Sequence, residues 1–247
     1  MAFTSQWERW LWRGAVVLFA LSLLILPLSL AVRFTAQSGW WWERGFDQYD
    51  AEARTGLPRA ELDHGAAELR AYFRSDDELA DITVTNTVGA AEPLLSEREV
   101  LHLRDVKRLF DRTYDAGWGS LGAIVAIVAG TIIWRGRAAG RALASAGRLA
   151  GATVTGVIVV LGIIAVSGFD EAFRQFHLLF FTNDLWQLSS RDRLIQMFPQ
   201  DFFFESTLLI GAAIIGTAVA VGLMGWGVLR WGARVDGGLR ADRLDAA

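Results

Sequence analysis

The chain has 247 residues, 53% of them hydrophobic and 11 of them Trp, and its mean hydropathy is +0.30, which is too apolar and too rich in Trp for an ordinary soluble domain. It has no Cys, so disulfides, thiolate metal sites and a Cys nucleophile are excluded. The formal net charge of −3 hides an asymmetry, with acids gathered between the first two apolar runs and arginines flanking the runs, and nothing in this pattern suggests nucleic acid as a partner.

Residues 10–32 form the first apolar run. Signal sequences have a core of only roughly 7–15 apolar residues, so this longer run reads as a retained span. Pro27 is tolerable inside it, because neighbouring helices in a membrane can satisfy the carbonyl that proline frees. The runs 117–134, 149–166 and 207–229 also approach or exceed the roughly 18–20 residues needed to cross about 30 Å of hydrocarbon. The expected fold class is a membrane protein, mainly α, with four transmembrane helices and a small α+β extracytoplasmic cap.

Arginines set the expected orientation, since basic residues near span ends are retained on the cytoplasmic side. Arg9 precedes the first run and Arg13 lies at its start, Arg135, Arg137, Arg141 and Arg148 lie between the second and third, and Arg230, Arg234, Arg240 and Arg243 follow the fourth. The expected organisation is therefore a cytoplasmic N-terminus with the first span (1–32), the cap and a helix leading into the second span (33–115), the second span (116–134), a cytoplasmic loop (135–148), the third span (149–166), an interfacial outer segment (167–206), the fourth span (207–229) and a cytoplasmic tail (230–247). Membrane lipids are the first partners this layout implies, with the arginines facing anionic headgroups.

Within the cap, Trp40, Trp41 and Trp42 predict an interfacial anchor. Leu62, Ala66, Leu69 and Phe73 recur at helical spacing over 60–73, and 81–88 alternates as a strand does, so a small sheet is expected. Over 96–113, Ser96 and Glu99 fit a capping box, in which hydroxyl and carboxylate satisfy amides of the first turn. Val100, Leu103, Val106 and Phe110 then make one apolar stripe. Residues 167–206 are so aromatic that they are expected to lie in the interface. In the fourth run, Ala212, Gly216 and Ala220 predict close helix packing.

Three histidines carry the candidate chemistry. His64, in an acidic, Gly-containing stretch, reads as a surface residue. His102 and His177 both belong to outer segments that adjoin spans, and a pair of imidazoles there can serve as base and acid near neutral pH. The bland alternatives are a helix-surface His102 paired with Glu99 or Asp105, an interfacial His177, and an Asp184 that caps a turn. No nucleophile elbow of the GxSxG kind is present. Glu99 and His102 share a helix face, as carboxylate-bridged metal ligands do, but one copy is a thin donor set, and no metal is expected.

Ser96, Glu99, His102, Leu103, Asp105, Val106 and Lys107 before the second span form one motif. Phe176, His177, Phe180, Phe181, Asn183, Asp184 and Trp186, continuing through Asp192, Leu194, Ile195, Phe198, Pro199, Phe202 and Phe203, form another. Together they resemble the bacterial integral membrane family that includes the lipoprotein intramolecular transacylase, and the four-span layout resembles it too. The resemblance implies an acyltransferase of the cytoplasmic (inner) membrane without a cofactor. Its substrate would be a diacylglyceryl-modified lipoprotein, whose sn-2 acyl chain moves to the amine of the N-terminal cysteine, giving the lyso form. It implies His102 and His177 as the catalytic pair. Beside them, Glu99, Asp105, Asp184 and Trp186 are candidate supporting residues, and Arg104, Lys107, Arg174 and Asn183 are candidate contacts to substrate oxygens. Two other functions stay open from the sequence: a metal-dependent membrane hydrolase using Glu99, His102 and His177, and a non-catalytic lipid- or lipoprotein-binding scaffold in which the histidines occupy separate surfaces.

Overall fold

The computed structural model describes residues 6–245. The ends of the expected cytoplasmic segments, Met1–Ser5 and Ala246–Ala247, lie outside the described residues. In chain order the elements are α1 (Gln6–Gln37), α2 (Gly39–Gln48), α3 (Ala51–Thr55), α4 (Arg59–Tyr72), β1 (Thr83–Thr85), β2 (Ala91–Pro93), α5 (Glu97–Arg135), α6 (Ala139–Ser167), α7 (Phe169–Phe180), α8 (Arg193–Met197) and α9 (Gln200–Asp245). Among the described residues four helices are long and apolar enough to cross a membrane, namely α1, α5, α6 and Gln200–Trp231 of α9. The mainly helical fold with a small sheet is the one expected.

Two compact units make up the chain. Among the described residues, the first comprises 6–29, 115–163 and 211–245. Leu149, Val160, Leu161 and Trp226 are among the large apolar side chains exposed on these helices, as expected of surfaces that meet lipid. Inside the unit, α6 and α9 approach until their backbones touch. A Cβ on Gly151 would lie 2.4 Å from the Ala218 carbonyl, and one on Gly225 would lie 2.4 Å from that of Ala144. The close-packing stripe of α9 is thus Ala218, Gly222 and Gly225. Ala212, Gly216 and Ala220 are of the expected residue type but lie on an exposed face of the helix. The connection expected over 135–148 is reduced to a 3-10 turn, Gly136–Ala138, and Arg141 and Arg148 belong to α6.

The second unit comprises residues 30–114 and 164–210. Its core gathers Trp41, Trp42, Phe46, Leu62, Leu69, Leu94, Leu103, Met197, Phe198 and Phe202. The tryptophan run therefore divides: Trp40 is 64% exposed, whereas Trp41 and Trp42 are core residues. Their indole N–H groups are satisfied inside, by Ser206 Oγ at 3.0 Å and the Thr35 carbonyl at 2.7 Å. Gly45 admits the Phe202 ring so closely that a Cβ would meet it at 2.7 Å.

The strand expected over 81–88 shortens to β1, which pairs antiparallel with β2 in the register Thr83↔Pro93, Val84↔Glu92, Thr85↔Ala91. Asn86 ends it. Its side-chain oxygen accepts from the Val88 and Ala90 amides, and Gly89 takes a φ of 82°, so the chain turns there. His64 lies on the exposed face of α4. The predicted helix over 96–113 is the start of α5, a single helix of 39 residues.

Candidate functional site

The site belongs wholly to the second unit and begins with the α5 cap. Ser96 N and Ser96 Oγ each donate to Glu99 Oε2 at 2.7 Å, while the Glu99 amide faces Ser96 Oγ at 3.4 Å. This is the expected capping box. Glu99 Oε1 then does something local sequence does not announce, accepting at 2.7 Å from the amide of Leu194, in the first turn of α8. One carboxylate, 1% exposed, thereby caps two helices and ties the segment before α9 to the start of α5.

His102, one turn along α5 from Glu99, and His177, in the last turn of α7, meet. Their ring centroids are 6.0 Å apart with planes at 35°, and each residue is 6% exposed. Phe181 packs edge-on to His102 at 5.3 Å and against His177 at 5.5 Å. Trp186 stacks on His177 at 5.0 Å, and Phe173 and Phe176 contact the same ring. The aromatic segment was expected to lie in the interface. Part of it instead forms the wall of this site.

The hydrogen bonds constrain the rings' protonation. His177 Nδ1 lies 2.7 Å from the Phe173 carbonyl, which can only accept, so Nδ1 carries the proton and Nε2 of the neutral ring keeps its lone pair. His102 Nδ1 is buried without a partner. The Nε2 atoms of both rings are neither hydrogen-bonded nor sealed from solvent. Burial pushes His102 down to about 4, aided by the neighbouring His177 and opposed by Asp105. Burial also lowers His177, against the opposing effect of its bond to Phe173. Both imidazoles are therefore neutral near pH 7 and able to take up a proton.

The remaining candidates divide by what they touch. Asn183 Nδ2 donates to Asp105 Oδ2 at 2.7 Å, and its oxygen accepts from the Leu185 amide at 3.0 Å. Arg98 donates to the Asp184 carbonyl and lies 3.7 Å from its carboxylate. These bonds pin the 181–188 loop to α5 and so hold Trp186 over His177. Asp105 further pairs with Arg104 at 3.8 Å and Arg108 at 3.6 Å. Two candidates are engaged elsewhere: Lys107 donates to the carbonyls of Ser75 and Asp77, and Arg174 is paired with Glu171 on the surface of α7. Glu99 is spent on its three donors, so the set Glu99, His102 and His177 does not assemble as metal ligands. Among the described residues no group of three or more His, Asp or Glu is arranged to hold a metal ion.

Phe173 lies outside both sequence motifs, and Phe181 and Leu194, though within the second, are given no role in the site by sequence. For Phe173 a signal exists, because a histidine four residues on in a helix can reach back to its carbonyl. For Leu194 there is none, since its partner is 95 residues away.

Four helices of bilayer-spanning length, with two neutral imidazoles meeting in an aromatic pocket of the second unit, describe an integral membrane protein. A family model for the lipoprotein intramolecular transacylase Lit matches residues 17–203, and the chain belongs to that acyltransferase family. Among solved structures it is similar to the membrane integral lipoprotein intramolecular transacylase Lit from Bacillus cereus, with a TM-score of 0.66 at 16% identity over 91% of this chain and 98% of that one. A variant of that protein with one histidine changed to arginine gives 0.68 at 15% identity over 93% and 96%. The corresponding alanine variant gives 0.67 at 16% identity over 92% and 98%. No curated protein matches the chain by sequence.

Proposed function

We propose that this chain transfers an acyl group within a diacylglyceryl-modified lipoprotein, from the sn-2 glyceryl ester to the α-amino group of the N-terminal cysteine, with His102 and His177 as the acid/base pair. The observation that carries the proposal is the meeting of two neutral imidazoles at 6.0 Å, each with an open Nε2. The amine attacks the ester carbonyl and a tetrahedral centre forms. The amine nitrogen then gives up a proton and the departing glyceryl oxygen gains one, leaving an amide and a free hydroxyl with no water consumed. His177 takes the proton at Nε2, since Nδ1 is held by Phe173. The proton taken up there is the one returned to the departing glyceryl oxygen, relayed through His102, so both imidazoles end neutral. Substrate supplies both reacting groups, so their shared backbone contributes much of the rate and the protein has to orient them. Asp105, Asn183, Asp184 and Trp186 act as positioning residues through the 181–188 loop.

The arginine distribution supports cytoplasmic termini and an extracytoplasmic cap in a bacterial inner membrane. That is the side on which a lipid-anchored secreted substrate resides, reaching the site by lateral movement in the outer leaflet. The test is mass spectrometry of the N-terminal peptide of a model diacylglyceryl lipoprotein after incubation with the protein, its His102→Ala variant or its His177→Ala variant. A mass-neutral shift of one acyl chain from glycerol to nitrogen is expected with the unmodified protein alone. Folded variants that retain full activity would overturn the assignment.

A further inference from the structure

Away from the histidines, one corner of the cap unit holds hydrogen-bond donors with nothing to bond. Arg74, in the turn that follows α4, donates to Gln37 Oε1 at 3.0 Å, and Gln37 Nε2 is left buried without an acceptor. One turn earlier on α4, Arg70 lies over the Trp42 indole at 5.4 Å, and its Nη1 is also buried and unpartnered. Gly39, two residues beyond Gln37, closes the corner. A Cβ there would be 3.5 Å from Arg70 Nη2 and 3.4 Å from Glu43 Oε1.

Charge points the same way as the orphaned donors. Glu43 and, among carboxylates, Asp63 exert fields on Arg70, but neither comes within 4 Å of it among the described ion pairs. Arg74 likewise forms no such pair. Arg70 and Arg74 thus lie close enough to repel, and neither of the two carboxylates that act on Arg70 is paired with it. A guanidinium does not escape burial by losing its proton, so this corner is completed by an anion with several acceptor oxygens, which a planar N–H fork and a side-chain amide can share.

The surroundings indicate what carries the anion. Leu30 and Phe34, on the same face of α1 as Gln37 and respectively two turns and one turn before it, are 60% and 48% exposed. An apolar strip therefore leads up to the orphaned donors, which is the pattern of an amphiphile. We propose that Gln37, Arg70 and Arg74 bind the phosphate of a phospholipid headgroup, with its chains lying along Leu30 and Phe34. The inference does not rest on the acyl-transfer reading.

The test is native mass spectrometry of the full chain in detergent, titrated separately with phosphatidylglycerol, with diacylglycerol and with inorganic phosphate. Phosphatidylglycerol is expected to form an adduct that diacylglycerol does not. Losing one charge-assisted contact should weaken it about tenfold in Arg70→Gln and in Arg74→Gln. Arg54→Gln, at an exposed arginine on α3, should leave it unchanged. Because Arg74 is exposed, its variant carries the test even if Arg70→Gln fails to fold. Adducts indifferent to Arg74→Gln, or phosphate bound in place of the lipid, would overturn the proposal.

Discussion

Replacing Glu99 by Gln separates a structural carboxylate from a chemical one. Glu99 accepts three hydrogen bonds at 2.7 Å, two from Ser96 and one from Leu194, with both oxygens occupied. Glutamine keeps one acceptor oxygen and turns an NH₂ toward the other donor. If the oxygen stays with Ser96, the Leu194 amide loses its acceptor and faces a donor. A hydrogen bond to a charged group contributes roughly 1.5–3 kcal/mol, and the neutral amide recovers part of that by being cheaper to bury, so the expected destabilisation is about 2 kcal/mol. Glu99→Ala orphans all three donors and should cost roughly 4 kcal/mol. The assay is unfolding in detergent micelles alongside the acyl-shift reaction, run well below the midpoint of the weaker variant. Glu99→Gln should unfold more easily yet keep its turnover per folded molecule. Normal stability with turnover lost would refute the reasoning, because the carboxylate would then be taking part in the reaction.

Other outcomes follow from the same geometry. Since His102 is held near 4 in the folded chain against 6.5 unfolded, the unfolded chain binds the extra proton between those values, and folding stability should fall as pH drops through that window. Comparing midpoints of the unmodified protein and His102→Gln from pH 7 to 4 checks this, and identical slopes would contradict it. Asn183→Ala removes the Asp105 tether and should slow acyl transfer about tenfold by loosening Trp186 over His177, while shifting stability by only about 1 kcal/mol; an unchanged rate would show that the loop needs no such tether. Gly151→Ala drives a methyl into the Ala218 carbonyl and should destabilise the α6 and α9 packing, whereas Gly156→Ala, whose Cβ meets nothing within 4 Å, should be neutral or mildly stabilising. Melting the two variants side by side decides the point.

What could be read from the chain followed the range of the forces involved. The capping box at Ser96 and Glu99, the helix around Leu62 and Leu69 and the four spans rest on neighbours within a few turns, so periodicity exposes them. The bond from the Leu194 amide to Glu99 depends on a fold that brings the two together, and no local pattern encodes that. Trp41 and Trp42 have the composition of an interfacial belt, but their N–H groups find Ser206 and Thr35, and burial wins. Asn86 continues the alternation of a strand while its side chain makes the turn that ends it. The small residues of α9 were recognisable in kind, yet which of two neighbouring stripes meets α6 is set by helix rotation, which composition leaves open. The two histidines were legible as candidates, and their meeting awaited the fold.

The ring of Phe181, packed against both His102 and His177, bears on product choice. Two neutral imidazoles can activate water against an ester as readily as they activate an amine, and the difference between a transferase and a lipase lies in which nucleophile reaches the carbonyl. Phe173, Phe176, Phe181 and Trp186 crowd His177 with surfaces that offer water few hydrogen bonds. An amine tethered to its own ester arrives regardless. On the proposed reaction, this aromatic enclosure is a selectivity device: it keeps the acyl chain on the lipoprotein by starving the competing hydrolysis, and opening it at Phe181 would release free fatty acid.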